Sequence, residues 1–477
     1  MTSMISVYPL GEITLDQFHE ECAIMGAWND ATAAEMVFLG LYAQQHRGQE
    51  ASGIVSLLGD VHIERKGMGL VGDIFTAEIL SHLKGSAAIG HNRYSTTGGN
   101  ILSNTQPLTA RLQNGPIALA HNGNIVNSAG LRRDLIEQGA IFQGTNDTEA
   151  LLHLLARNRK TNIIDCLLEE APKMIGAFSL LLLTKESLVA ARDPLGFRPL
   201  VIGQKQNEDG SMAYFFTSET CALDLIGAQY IRDVLPGEIV WADSSGLHSK
   251  AFATTPASKT AHCVFEHVYF ARPDSIVYGR SVYQSRKNMG AQLAFESPID
   301  ADVIVPVPDS GVPAAIGFSQ KSGIPFEYGI IRNHYIGRTF IQPIQAVRAS
   351  GVKIKLNPQP GVLAGKRVVL VDDSLVRGTT SQKIIRLVRA AGAKEVHLRI
   401  SSPPTVSSCY YGVDTPMASQ LIASSQSTDA IKTFIGADSL SYLSHEGMMK
   451  AVQAGESGFC SACFTRQYPT PLFEQEG

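Results

Sequence analysis

Two adjacent carboxylates, Asp372 and Asp373, close the apolar run Val368-Val369-Leu370-Val371 and are followed by Ser374, Leu375, Val376, Arg377, Gly378, Thr379 and Thr380. Such a run reads as a strand that delivers both carboxylates to its carboxyl end. There they can accept hydrogen bonds from ribose hydroxyls or hold a hydrated magnesium ion. The hydroxyls and Gly378 at the start of the next helix suit a phosphate, because the first N–H groups of a helix lack internal partners and its dipole favours negative charge. The segment ends in neither Gly-Lys-Ser/Thr nor a Gly-x-Gly-x-x-Gly turn, so it is not a mononucleotide P-loop or a dinucleotide fingerprint.

Cys22 is a second candidate centre. By residue type alone it is a small buried hydrophobe. Its context is a leader of 21 residues upstream and, downstream, the polar clusters Gln45-His46-Arg47-Gly48-Gln49, His91-Asn92-Arg93-Tyr94, His121-Asn122-Gly123-Asn124 and Asn146-Asp147-Thr148-Glu149. A papain-like Cys-His pair is a competing arrangement, but no histidine stands in a recognisable context for it. Near the C-terminus, Cys460-Ser461-Ala462-Cys463 could be a redox dithiol, half a zinc ribbon or half an iron–sulfur site.

The elements that must position these groups follow from periodicity. Met36, Val37, Phe38, Leu41 and Tyr42 predict a helix within residues 31–45, stopping before Arg47-Gly48. Residues 87–90, 117–120 and 178–184 read as strands, and 147–157 as a helix capped by Asn146 or Asp147. From about 243 to 262 the pattern lapses into Ser, Thr, Ala, Lys and Pro, a linker composition that predicts a domain boundary. Beyond it the order becomes strand, tight loop, helix, at residues 303–307 and again at 367–371. That alternation implies right-handed βαβ units on a parallel sheet, with ligands at the carboxyl ends of the strands.

A chain of 477 residues has room for about two to four domains. With 40 basic and 44 acidic residues the formal charge is −4, so the bulk field recruits neither nucleic acid nor an anionic membrane. Arg47 is the first Lys or Arg, which argues against a secretory or transit signal, and no apolar run approaches a bilayer's thickness. The seven cysteines are odd in number and widely spread. They point to thiol chemistry or metal ligation in a reducing, cytoplasmic setting rather than to a disulfide framework.

The Asp372–Thr380 segment resembles the phosphoribosyl pyrophosphate signature of the type I phosphoribosyltransferases. The resemblance implies that Asp372 and Asp373 contact the ribose and that Ser374, Arg377, Gly378, Thr379 and Thr380 wrap the 5-phosphate. Asp309, Ser310 and Gly311, after Pro306-Val307-Pro308, are similar to that family's pyrophosphate loop. Arg332 to Phe340 resembles its mobile loop, in which Arg332, Tyr335 and Arg338 would meet the substrate, the arginines neutralising pyrophosphate. Magnesium would be held with substrate by Ser310, Asp372 and Asp373.

Cys22 and the polar clusters resemble the N-terminal-nucleophile glutamine amidotransferases. That resemblance implies removal of residues 1–21 and a catalytic Cys22 whose own α-amino group, with a reference pKa of ~7.7–8.0, is the general base. It further implies an oxyanion hole from Asn122 and Gly123, Arg93 on the glutamine α-carboxylate, Asp147 on its α-amino group, and Arg47 and Gly48 at the substrate site.

The two signatures in this order resemble the amidophosphoribosyltransferase family, in its iron–sulfur branch. The expected fold is an α+β glutaminase domain layered α/β/β/α (22–254), then an α/β transferase domain with a parallel sheet and a cluster-binding tail (255–477). The expected reaction hydrolyses glutamine and channels ammonia to C1 of phosphoribosyl pyrophosphate, giving 5-phosphoribosylamine, glutamate and pyrophosphate. Cys263, Cys409, Cys460 and Cys463 would hold a [4Fe-4S] cluster, leaving Cys166 and Cys221 in the core. The resemblance also implies inhibition by purine nucleotides and a homo-oligomer, dimer or tetramer. The competing readings are a regulatory protein on a phosphoribosyltransferase fold and another glutamine-dependent amidotransferase.

Overall fold

The computed structural model describes residues 22–94, 102–113, 115–333, 356–455 and 458–473. In the first half the chain makes two stacked antiparallel sheets. One has seven strands in the order Gln229–Asp233, Val201–Gln206, Met212–Thr217, Ala23–Trp28, Ala87–Arg93, Ala51–Leu58 and Val61–Met68. The other has six, in the order Gly246–Ala251, Glu238–Asp243, Ser187–Arg192, Gly176–Thr184, Gly115–Ile125 and Leu108–Leu112.

Side chains alternate between faces along a strand, and the sequence uses both. Ile24, Val55, Ile89 and Phe216 of the first sheet meet Ala120, Leu181, Leu188 and Val240 of the second in a dry inner layer. On the outer face of the first sheet, Met25, Ile54 and Phe215 pack against Val37 and Leu41 of helix Ala33–Ala43. On the outer face of the second, Leu119, Leu180 and Leu182 pack against Leu151 and Leu155 of helix Thr148–Arg157 and Leu167 of Ile163–Glu170. The layers are therefore α/β/β/α, as expected.

Several strands run further than their apolar cores suggest. The run at 87–90 extends to Arg93, and that at 117–120 spans Gly115–Ile125, so His91, Asn92, Arg93, His121, Asn122 and Gly123 are all strand residues. Their polarity interrupts the hydrophobic pattern because they stand at the ends that form the site. The polar stretch from residue 243 needs a correction. Through Ala251 it is not linker but an edge hairpin, in which Glu238–Asp243 pairs with Gly246–Ala251. An edge hairpin with an exposed face has the composition of a loop, and the connecting segment begins only after it.

The second half is built on a four-stranded parallel sheet, ordered Val303–Pro306, Arg367–Asp372, Glu395–Ile400 and Ser439–Tyr442. Val369 and Val371 face Met289, Leu293, Ala315 and Phe318 of helices Val282–Glu296 and Val312–Ser322. Val368 and Leu370 face Ile384, Ile385 and Val388 of Thr379–Ala390 and Ile431 and Ile435 of Thr428–Ile435. Helices on both faces explain why the 368–371 run is continuously apolar rather than alternating. The chain's end returns to the junction of the halves, where His262–Cys263 pairs in parallel with Phe459–Cys460. No helix among the described residues is long and apolar enough to cross a membrane.

The first two helices of the parallel-sheet half cross at glycines. A Cβ on Gly290 would lie 1.8 Å from the Ala314 carbonyl oxygen, and one on Gly317 would lie 1.9 Å from that of Lys287. Both helices would have to separate to admit a methyl. Gly290→Ala is expected to lower the stability of this half by about 1–3 kcal/mol or more, read from its urea midpoint. An unchanged midpoint would contradict so close a crossing.

Candidate functional site

Cys22 lies just before the first strand, whose Ala23 pairs with Asn92, so the thiol is brought beside Arg93 and Tyr94. Its Sγ is 3.6 Å from the Tyr94 carbonyl oxygen, toward which the thiol donates. Burial pushes the thiol up to about 11, against the pull of Arg93 and Arg47. Such a thiol is scarcely ionised at neutral pH and needs a base to become a nucleophile.

Across the sandwich, a ring nitrogen of His91 lies 3.1 Å from the His121 carbonyl oxygen, tying the two polar strand ends together. Next along, both side-chain amide atoms of Asn122 are buried and find no partner among the described residues. An orphaned buried amide is costly unless a ligand satisfies it. Gly123 has φ 144°, and a Cβ there would lie 2.1 Å from the Ala177 carbonyl oxygen, so only glycine fits.

Asp147 accepts the Ile125 N–H at 2.8 Å and faces His121 Nδ1 at 3.5 Å. Burial would raise its carboxyl, but His121 and the donated hydrogen bonds outweigh this and hold it below the usual range. Cys22 and Asp147 also feel each other's charge. The cap of the 148–157 helix is therefore supplied by Asn146, whose Oδ1 accepts the Glu149 N–H at 3.0 Å.

Arg47 takes a different place from Arg93. It is fully buried: one terminal nitrogen donates to Glu219 and Glu266, the other to Glu266, and Nε reaches the Cys22 carbonyl oxygen at 3.4 Å. Burial would lower its pKa, but the two carboxylates more than reverse this. As placed, Arg47 supports the backbone of Cys22, with its terminal nitrogens occupied by protein carboxylates. Gly48 packs on the neighbouring strand, where a Cβ would lie 2.8 Å from the Asn92 carbonyl carbon.

In the parallel-sheet half, the strand Arg367–Asp372 sets Asp372 and Asp373 in the interior at its carboxyl end. Asp372 Oδ1 accepts the Asp373 N–H at 3.0 Å, and Ser374 Oγ donates to Asp373. Burial and the adjacent Asp373 raise the Asp372 carboxyl well above its ordinary value. A cation or a set of hydroxyl donors would relieve that repulsion. Gly378 has φ 79° and precedes Thr379 and Thr380 at the first turn of their helix. Arg377 donates to Gln420 at 2.9 Å.

The parallel neighbour strand ends at Pro306, and the loop beyond it carries Asp309, Ser310 and Gly311. Gly311 is held so closely that a Cβ would lie 2.4 Å from the Val371 carbonyl oxygen. Arg332 forms an exposed ion pair with Asp309, joining the two loops in this structure. Tyr335 and Arg338 lie outside the described residues.

Cys263, Cys409, Cys460 and Cys463 line one cavity together with Phe265, Tyr411 and Val413. Among the described residues no group of three or more His, Cys, Asp or Glu side chains converges as a single metal ion requires. Burial raises all four thiols. Cys166 and Cys221 are buried elsewhere.

Sequence reasoning missed Glu219 and Glu266. A lone acid within Cys263-Val264-Phe265-Glu266-His267-Val268 was the available signal, since an acid in an apolar run needs a buried partner. It also missed Ser402, whose hydroxyl donates to the Asp373 carbonyl oxygen at 2.7 Å.

The fold and sites define a two-domain protein that joins a glutaminase to a phosphoribosyl transfer domain. Family models agree: one described as a glutamine amidotransferase domain matches residues 91–224, and one described as a phosphoribosyl transferase domain matches 281–402. Among relatives, amidophosphoribosyltransferase 2, chloroplastic, of Arabidopsis thaliana is 51% identical over 96% of this chain and 81% of its own. The amidophosphoribosyltransferase of Bacillus subtilis is 46% identical over 96% of this chain and 95% of its own. A solved glutamine phosphoribosylpyrophosphate amidotransferase from B. subtilis, complexed with ADP and GMP, superposes with a TM-score of 0.89 at 45% identity, covering 95% of this chain and 98% of that one. The chain belongs to the amidophosphoribosyltransferase family.

Buried histidines give this structure a defined acid response. Burial holds His91 and His267 neutral and pushes each down to about 3, whereas an unfolded histidine titrates near ~6.5. Between those values the unfolded chain binds protons that the native chain does not. Stability therefore falls as pH drops below about 6.5, by ~1.4 kcal/mol per pH unit for each such histidine. Neither ring nitrogen of His267 has a partner among the described residues, so His267→Phe should flatten the decline by about one proton in urea titrations between pH 6.5 and 4. An identical slope would show that His267 protonates in the native state.

Proposed function

We propose that the protein is a glutamine-dependent amidophosphoribosyltransferase that hydrolyses glutamine at Cys22 and delivers ammonia through the interior to C1 of phosphoribosyl pyrophosphate. The products are 5-phosphoribosylamine, glutamate and pyrophosphate, in the committing step of purine nucleotide synthesis. The observation that carries this reading is the coexistence, in one chain of this family, of a buried thiol within electrostatic reach of Arg93 and Asp147, a buried Asn122 amide without a partner among the described residues, and a strand-end pair of buried carboxylates.

In the first half-reaction the mature chain begins at Cys22, and its freed α-amino group takes the thiol proton. The high pKa of the thiol makes such a base necessary. Arg93 and Asp147 clamp the charged ends of glutamine. Attack on the amide carbon gives a tetrahedral oxyanion received by Asn122 Nδ2 and the Gly123 N–H. As the intermediate collapses, the α-ammonium returns its proton to the departing nitrogen, so ammonia leaves and a thioester remains, which water cleaves to glutamate and the free thiol.

In the second, Asp372 and Asp373 bind the ribose hydroxyls, and residues 374–380 bind the 5-phosphate at the helix start. Asp309, Ser310, Gly311 and Arg332 meet the pyrophosphate. Magnesium, held by substrate with Ser310, Asp372 and Asp373, would supply charge neutralisation for the leaving group. The four cysteines line one cavity, and by the family resemblance they are read as the ligands of a [4Fe-4S] cluster. Such a cluster would cross-link the tail to the domain junction, and this reaction asks no electron of it. Purine nucleotides carry the same ribose 5-phosphate and are read as competitive inhibitors. We read it as a cytoplasmic homo-oligomer, the location from its cysteine usage and the assembly from the family resemblance.

Cys22→Ala should abolish glutamine-dependent synthesis while ammonium salts still support pyrophosphate release. Asp372→Asn with Asp373→Asn should abolish synthesis from both nitrogen sources. Loss of both activities in folded Cys22→Ala protein would overturn the division of labour. Protein prepared without oxygen should carry about four irons and four sulfides per chain, and Cys460→Ser should lose them while Cys166→Ser should not. Stoichiometric zinc in active protein would replace the cluster assignment.

A further inference from the structure

The strand that carries Asn122 and Gly123 belongs to the first half, yet it is backed by the segment Cys409–Gly412 of the second. A Cβ on Gly412 would lie 3.0 Å from both the Cα and the carbonyl carbon of Gly123 and 3.2 Å from its carbonyl oxygen. This is backbone against backbone, at a residue whose own φ is 103°. On its other side Gly123 is closed by the Ala177 carbonyl, 2.1 Å from where its Cβ would stand. Gly123 is thus pressed between its neighbouring strand and a loop nearly three hundred residues away. One residue further, Asn124 Nδ2 donates to the Tyr410 carbonyl oxygen at 2.9 Å.

The backing segment is itself held firmly. The Cys409 N–H donates to Thr415 Oγ1 at 2.7 Å, and the Tyr411 ring stacks on Phe197 with centroids 4.1 Å apart. Tyr468 OH donates to the Ser408 carbonyl oxygen at 2.7 Å, and Tyr411 OH meets Thr470 Oγ1 at 2.9 Å, so the C-terminal tail braces it. Packed backbones do not deform continuously, and a shift of a few tenths of an ångström in this loop must be taken up by Gly123.

We propose that Gly412 and Tyr410 are positioning residues for glutamine hydrolysis: they fix Gly123, and with it the oxyanion hole, from the other half of the chain. The inference rests on the reading of Gly123 and Asn122 as oxyanion donors. It makes the glutaminase site incomplete without the 409–412 loop. Oxyanion donors act only as charge develops in the transition state, so misplacing one lowers kcat and leaves substrate binding nearly unchanged.

The test uses the full, anaerobically prepared enzyme carrying Gly412→Ala. Glutamine-dependent kcat should fall roughly 10- to 100-fold with KM changed less than about threefold. Ammonia-dependent synthesis and iron content should stay near wild type. The rate at which iodoacetamide alkylates Cys22, followed by mass spectrometry, should also be unchanged, because alkylation forms no oxyanion. Asn124→Ala, which removes the Tyr410 tie without backbone strain, should show the same split at smaller amplitude and decides the matter if Gly412→Ala does not fold. An unchanged glutamine kcat in the folded variant, or a parallel loss of ammonia-dependent synthesis and iron, would overturn the proposal. Retention of glutamine use by Cys22→Ala would instead overturn the nucleophile reading beneath it.

Discussion

Two buried arginines and two buried glutamates fix how the halves of this protein meet. Arg47, Arg198 and Glu219 come from the first half and Glu266 from the second, and all four side chains are almost wholly removed from water. Glu266 accepts from both Arg47 and Arg198, and Glu219 accepts from Arg47, from the Arg272 N–H at 2.9 Å and from the Ser275 hydroxyl at 2.7 Å. Burying an ion pair gains little net stability, but removing one partner strands a charge at a cost of about 3–5 kcal/mol. The halves therefore cannot shift apart without stranding charge. Because Arg47 also donates to the Cys22 carbonyl, the same network that sets the domain arrangement sets the candidate nucleophile.

Glu266, three residues after Cys263, opens a single π-helical turn, Glu266–Phe270. The four-cysteine cavity, the charge network and Cys22 thus follow one another through the interior, with Arg198 in electrostatic reach of Cys263 and Cys409. The other candidate site depends on this network less directly. Its groups sit on loops at the carboxyl ends of two adjacent parallel strands, where strand direction and helix dipoles bring carboxylates, hydroxyls and backbone N–H groups to one place.

The transferase half was the more legible in sequence, because a buried parallel strand advertises itself as an unbroken apolar run and its site residues follow in one contiguous segment, 372–380. The glutaminase half gathers its groups from Cys22, Arg93, Asn122 and Asp147, and only family resemblance collects them. Periodicity failed where function or an edge altered the pattern: at 91–93 and 121–123, where site residues occupy strand ends, and at 246–251, where an edge strand has the composition of a linker. What could not be read was pairing at long range. Nothing near Arg47 in sequence announces Glu219 or Glu266, and nothing near Gly123 announces Gly412. Such contacts exist only once both halves have folded against each other.

If the two sites, on different folds, act as one enzyme through an enclosed passage, ammonia formed from glutamine does not mix with ammonium in solution. The most direct measurement supplies glutamine labelled with nitrogen-15 at the amide, together with phosphoribosyl pyrophosphate and an excess of unlabelled ammonium, and traps the amino sugar as it forms. Transfer through the interior leaves nearly all of the label in the product. Product diluted to the isotopic composition of the bulk ammonium would contradict it.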